Sequence, residues 1–241
     1  SGSVQALCPP EPGSSVRVTY NDSLTSHTFK VLDGDPLDLD PLPRGIIFNF
    51  EIGTVVLPPQ PWVANGTVRA ISYPDGYAQT LLTDVLIENV GGPVDDVELI
   101  AEHCFDNQIT VPMVFKAPVD GAILNTVDGI IQARAELEYM ALVNDVGLSG
   151  AFTAFGVGLG PFPFVHLLGP TAVQMLPPRA SQVHRLRFYL DGSGDAIVLE
   201  NSALIQPVAA EVPSVAPFWI LVVVALLMAG GFGILVLRVR S

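Results

Sequence analysis

Basic residues are scarce in this chain. Its 241 residues hold 11 Lys and Arg against 24 Asp and Glu, a formal net charge of −13. Binding to a phosphate backbone needs basic patches, so nucleic acid is excluded as a partner. Acidic exported domains are usually just soluble, and the charge says little more. Histidine is sparse as well: His27, His103, His166 and His184 are scattered, with no paired spacing for a metal. Cysteine occurs only at Cys8 and Cys104. In an oxidising compartment such a pair reads as a disulfide. A metal site around Glu102, His103 and Cys104 is the weaker alternative, since two or three adjacent ligands have no second cluster to complete them.

The motifs of catalysis are missing too. Gly147–Ala151, "GLSGA", resembles a nucleophile elbow with Ala in place of the last Gly, but that motif works at a strand-to-helix turn of an α/β fold. No amphipathic helix pattern supplies one here. Gly156–Gly160, "GVGLG", is not followed by a helix carrying Lys and Ser or Thr, so no phosphate cradle is expected. We therefore expect a protein that is not an enzyme and has no cofactor.

Charge vanishes altogether near the C-terminus. Residues 218–237, twenty in all, contain no charged and no strongly polar side chain. At about 1.5 Å per residue such a helix covers the roughly 30 Å hydrocarbon core of a bilayer. Core helices of globular proteins are rarely apolar on every face over this length. Trp219 stands at one end, where amphipathic aromatics favour the headgroup region, and Pro217 fits the first helical turn. Arg238 and Arg240 close the other end, which predicts a cytoplasmic C-terminus and an exported residue 1–216 segment. With these two arginines set aside, the exported part has nine basic residues against 24 acidic ones. The chain begins with Ser1 rather than Met, in keeping with removal of an export signal.

The stretch "VPSVAPFW" (residues 212–219), the apolar run and the closing "LRVR" resemble the tripartite C-terminal sorting tails of bacterial exosortase substrates. Those tails join a Pro-containing motif, one transmembrane helix and an Arg-rich end. The likeness covers roughly the last 30 residues, with Val212-Pro213-Ser214-Val215 at the motif. In that family the tail is removed during processing; here we expect a working transmembrane helix. Within it Ala225, Ala229 and Gly233 recur every fourth residue, and Gly230 and Gly231 widen the same groove. Small residues at this spacing let a second helix approach closely. The run lacks His, Asp, Glu, Lys, Asn and Gln, so it offers no usual ligand for haem or chlorophyll and no proton relay.

Before the tail the composition is that of a folded chain: 49% hydrophobic and 15% charged. Residues 1–15 are a Pro/Gly/Ser-rich arm. "SVRVTY", "HTFKVL", "RGIIFNFEIGTVVL", "GTVRAISY", "TLLTDVLIENV" and "VDDVELIAEHCF" read as strands separated by Gly/Pro turns. "IQARAELEYMAL" is the clearest: Leu137, Tyr139 and Ala141 share one face, Glu136 and Glu138 the other. "VHRLRFYL", "DGSGD" and "AIVLENSALI" predict a hairpin. Asp191–Asp195 lacks the sixth-position Gly and closing Glu of a calcium loop, and Asp33–Asp40 also reads as a loop before a metal site. The uncharged segment Ala154–Pro170 is either a buried strand and turn or an exposed docking loop led by Phe162 and Phe164.

Many strands and no amphipathic helix predict an antiparallel β-sandwich over residues 16–206, jelly-roll or immunoglobulin-like. One large sandwich is expected ahead of two halves split near Val111. Residues 207–216 form a stalk, 217–237 the transmembrane helix and 238–241 the cytoplasmic end. The expected location is the bacterial cytoplasmic membrane, with the sandwich in the periplasm. The expected partners are the lipid bilayer and other integral membrane subunits, and the expected role is a structural or accessory subunit of a larger membrane complex, for which a photosynthetic or respiratory assembly would fit. A free-standing exosortase-sorted surface or adhesion protein and a small-ligand-binding sandwich are the alternatives.

Overall fold

The computed structural model describes residues 8, 13–21, 26–53, 61–75, 77–92, 94–108, 111–126, 134–143, 146–147, 152–173 and 176–208. Residues 1–207 form one unit, and Val208–Ser241 a second, of which only Val208 is described. The span expected at 217–237, with Ala225, Ala229 and Gly233, lies outside the described residues. Among the described residues no helix is long and apolar enough to cross a membrane.

The described chain is all β, with thirteen strands: β1 (Ser15–Asn21), β2 (Ser26–Leu32), β3 (Gly45–Ile52), β4 (Trp62–Ser72), β5 (Ala78–Asn89), β6 (Val94–Asp106), β7 (Met113–Asn125), β8 (Arg134–Val143), β9 (Val146–Gly147), β10 (Phe152–Val157), β11 (Gly160–Val173), β12 (Arg179–Leu190) and β13 (Ala196–Pro207). They make two antiparallel sheets packed as a β-sandwich. The first runs β10-β8-β12-β6-β1-β2, with β9 on β8; the second runs β11-β7-β13-β5-β4-β3. Strands from before and after Val111 sit side by side in both sheets, so the chain is not divided there.

Period-two alternation builds the core. Ile46, Phe48, Phe50 and Ile52 of β3 are buried, while Asn49 and Glu51 between them are exposed. Leu137, Tyr139 and Ala141 of β8 turn inward, as their spacing predicts. Trp62 links the layers: its ring meets Tyr20 at 5.6 Å and Phe188 at 5.5 Å, both edge-on, and both belong to the opposite sheet. Aromatic pairs favour this edge-to-face geometry.

The expected hairpin around Asp191–Asp195 is not one. β12 lies in the first sheet and β13 in the second, so the two strands face each other across the core. The turn is tied from inside. Asp195 is fully buried; its Oδ1 accepts from the Thr126 amide at 2.8 Å and its Oδ2 from the Gly192 amide at 3.0 Å. Asn89 donates through Nδ2 to the Leu190 carbonyl at 3.2 Å. The carboxylate thus fixes an arch between sheets, and no calcium loop is formed.

β7 and β11 carry residues that normally argue against strands. Pro118 lacks an N–H, and the β7–β13 ladder is interrupted beside it, between Asn201↔Val119 and Leu204↔Lys116. Gly121 lies under the ring of Phe164: a Cβ there would stand 2.9 Å from Phe164 Cζ and 2.9 Å from Leu199 Cα. The Gly121→Val substitution should therefore displace Phe164 or open the β7–β13 pair, costing about 1–3 kcal/mol as overpacking does. Chemical unfolding measures this; an unchanged midpoint would show that β7 and its neighbours accommodate the side chain freely.

Candidate functional site

The Cys8–Cys104 staple is the first candidate feature. Cys104 is near the C-terminal end of β6, opposite Ser15 of β1 and Ser181 of β12. Cys8 lies over it at disulfide distance, with 5.6 Å between the Cα atoms, as the pairing of the two lone cysteines predicts. The arm is gripped again nearby. Gly13 donates its amide to Asp106 Oδ2 at 2.8 Å, and Arg179 Nη1 donates to Asp106 Oδ1 at 2.8 Å and to the Gly13 carbonyl. Alternation on β6 separates the residues of the metal alternative: Glu102 and Cys104 face outward, whereas His103 faces the core. Cys8, Glu102 and Cys104 place their ligand atoms within 4.8 Å of one another, yet the sulfurs pair together and Glu102 accepts from Arg17 Nε at 2.8 Å. His103 cannot join them.

Inside the sandwich lies a polar cluster that the sequence did not reveal. The ring nitrogens of fully buried His103 lie 2.9 Å from Ser14 Oγ and 3.0 Å from Thr80 Oγ1. Thr80 donates its one proton to Gln182 Oε1 at 2.6 Å. It must then accept from His103 Nδ1–H, which leaves Nε2 to accept from Ser14. Gln182 Nε2 donates onward to the Ala78 carbonyl at 3.2 Å. A second buried pair, Tyr139 and His184, meets at 3.0 Å between the phenol oxygen and Nδ1. Burial pushes both imidazoles down, from 6.5 to about 3. Gln182 opposes the shift at His103 and Arg179 adds to it; His103 adds to that of His184. Burial also raises the Tyr139 phenol, so that it stays protonated. These groups are neutral and enclosed by the core, and the bonds of Thr80 to His103 and Gln182 tie the second sheet to the first.

Phe162 and Phe164 are not on a loop. They belong to β11, and their rings turn inward against the core, half-buried, because they alternate with Pro161, Pro163 and Val165. His166 shares their face and stacks on Phe152 at 4.7 Å. The outward positions carry the exposed apolar surface instead: Val165 is 84% exposed and Leu167 53%. His27 stacks on Tyr20 at 5.2 Å at the opposite edge. The four histidines thus come together at no single site. Of Gly147–Ala151 only Gly147 is described, on β9, and Gly156–Gly160 spans the end of β10, the turn at Gly158 and Leu159, and the start of β11.

Three of the four Asp33–Asp40 carboxylates accept from nearby backbone amides. Asp38 Oδ1 accepts from the amides of Asp40 at 2.9 Å and Ile47 at 3.0 Å, and Oδ2 from Gly34 at 3.1 Å. Asp33 Oδ2 accepts from the Arg44 amide at 2.9 Å and Asp40 Oδ1 from the Leu42 amide at 3.0 Å. A hollow on the outer face of the second sheet is lined by Asn49, Glu51, Asn65, Thr67 and Asp84, with no exposed aromatic ring to stack a sugar. The molecule is thus of the disulfide-linked β-sandwich class, with a buried polar core and an acidic surface. No family model matches the chain, and no characterised protein is significantly similar to it.

Proposed function

We propose that this is a non-enzymatic single-pass membrane protein, a structural or accessory subunit of a larger membrane complex. The sandwich braces the exported face and the helix at 217–237 packs against neighbouring subunits. The observation that carries this reading is the uncharged run 218–237 with Ala225, Ala229 and Gly233 on one stripe, closed by Arg238 and Arg240. In this reading the protein sits in the bacterial cytoplasmic membrane with the sandwich outside.

The sandwich itself we assign to the jelly-roll class. In support, β5-β13-β7-β11 and β6-β12-β8-β10 are the strand orders of an eight-stranded jelly roll, with β1–β4 extending both sheets. An immunoglobulin-like order would keep more consecutive strands paired within one sheet.

Gentle detergent extraction followed by size analysis tests the role. The wild-type chain should migrate with other integral subunits. The Gly233→Leu chain should still insert, because lipid accepts Leu as readily as Gly, but should lose those partners as the added bulk separates two backbones. A monomeric wild-type chain, or one lacking its tail, would support the exosortase-sorted surface protein instead.

A further inference from the structure

The end of the sandwich from which the chain leaves toward the tail has an unusual surface. β13 ends at Pro207, paired with Met113 at the start of β7; β4 ends at Ser72 and β2 at Leu32 on this same end. The β2–β3 connection closes this end at one side. Three of its four acids, Asp33, Asp38 and Asp40, turn their carboxylates onto backbone amides, while Leu37, Leu39 and Leu42 are exposed. Leu37 is 59% exposed, Leu39 56% and Leu42 67%. Tyr73 and Val111 are exposed apolar residues at the same end. Three leucines on one short connection are a costly thing to leave in water when three of the four acids beside them are turned onto the backbone.

We propose that this end rests on the outer surface of the lipid bilayer, with Leu37, Leu39 and Leu42 entering the interface between headgroups and acyl chains. The inference rests on the reading of 217–237 as a membrane span and deepens it. Only residues 208–216 separate the last strand from that span. Nine residues reach at most about 30 Å even when fully extended, so the end that carries the leucines is the end held near the lipid. The opposite end, with the β10–β11 turn at Leu159, lies a strand length further away. The surrounding acids disfavour anionic headgroups, so the fitting surface is a zwitterionic one.

The test uses the full chain in phosphatidylcholine vesicles, in a Trp219→Phe background, with a new tryptophan as probe. Buried Trp62 supplies a constant baseline. Brominated acyl chains should quench Leu39→Trp and spare Leu159→Trp. Equal emission from both probes, with the chain still resistant to carbonate extraction, overturns the lipid-facing end and leaves the anchor standing. Quenching of both alike also overturns it, since no end is then preferred. Release of the chain by carbonate overturns the anchor and this inference together.

Discussion

Replacing Cys8 with Ala should lower the unfolding free energy of the oxidised protein by up to about 4–5 kcal/mol. The bridge spans 96 positions, and a cross-link over so long a loop removes much of the freedom of the unfolded chain. Losses in the folded state add to this. Without the bridge, the arm keeps the Gly13–Asp106 and Arg179–Asp106 contacts, which are partly solvated and individually weak. Urea unfolding of oxidised wild type, reduced wild type and the Cys8→Ala variant measures the effect. The last two should coincide at a lower midpoint. Equal midpoints for all three, or thiols that react quantitatively with an alkylating reagent in the unreduced, denatured protein, would rule out the cross-link.

Acid should destabilise the sandwich well before most carboxylates titrate. His103 and His184 hold pKa values of about 3 when folded against 6.5 when exposed. Between these values the unfolded chain binds more protons than the folded one. The stability they confer is therefore complete above pH 6.5 and drains as pH falls toward 3. At pH 5 the loss is roughly 2 kcal/mol per histidine. Thermal midpoints measured from pH 7.5 to 4.5 should fall steeply for the wild type. In the His103→Gln/His184→Gln variant the midpoint at pH 7.5 will be lower, but the dependence on pH should flatten. An equally steep curve in that variant would assign acid sensitivity to other groups, such as the Arg17–Glu102 pair.

The strands with clean alternation were legible in the sequence. "SVRVTY" and the Leu137–Ala141 stretch lie where their period places them, because one wet face and one dry face leave a strand little choice of orientation; "HTFKVL" forms a strand at the sheet edge with only Val31 buried. β7 was not legible. Pro118 and Gly121 obscure it, and both are tolerated for tertiary reasons: one where the ladder is interrupted, the other beneath the Phe164 ring. The Asp191–Asp195 turn was misjudged because a short Gly-containing linker suits a hairpin and an arch equally. What decides is the partner of each flanking strand, β6 and β8 for one and β5 and β7 for the other, and these are distant in sequence. The buried polar cluster was hidden for the same reason. His103, Thr80 and Gln182 are separated by 23 and 102 positions, and no local pattern marks them as neighbours.

β13 is the last strand of the sandwich, yet it lies in the middle of its sheet, between β5 and β7. Those two strands have no ladder to each other without it, so the second sheet exists as two separate halves until residues 196–207 are in place. During synthesis the β11-β7 half cannot join the β5-β4-β3 half until the segment 196–207 has emerged. The order of emergence therefore leaves the second sheet open until the final insertion closes it. Pairings so remote in sequence form slowly. Such a chain completes its second sheet only after nearly all of the sandwich has been made.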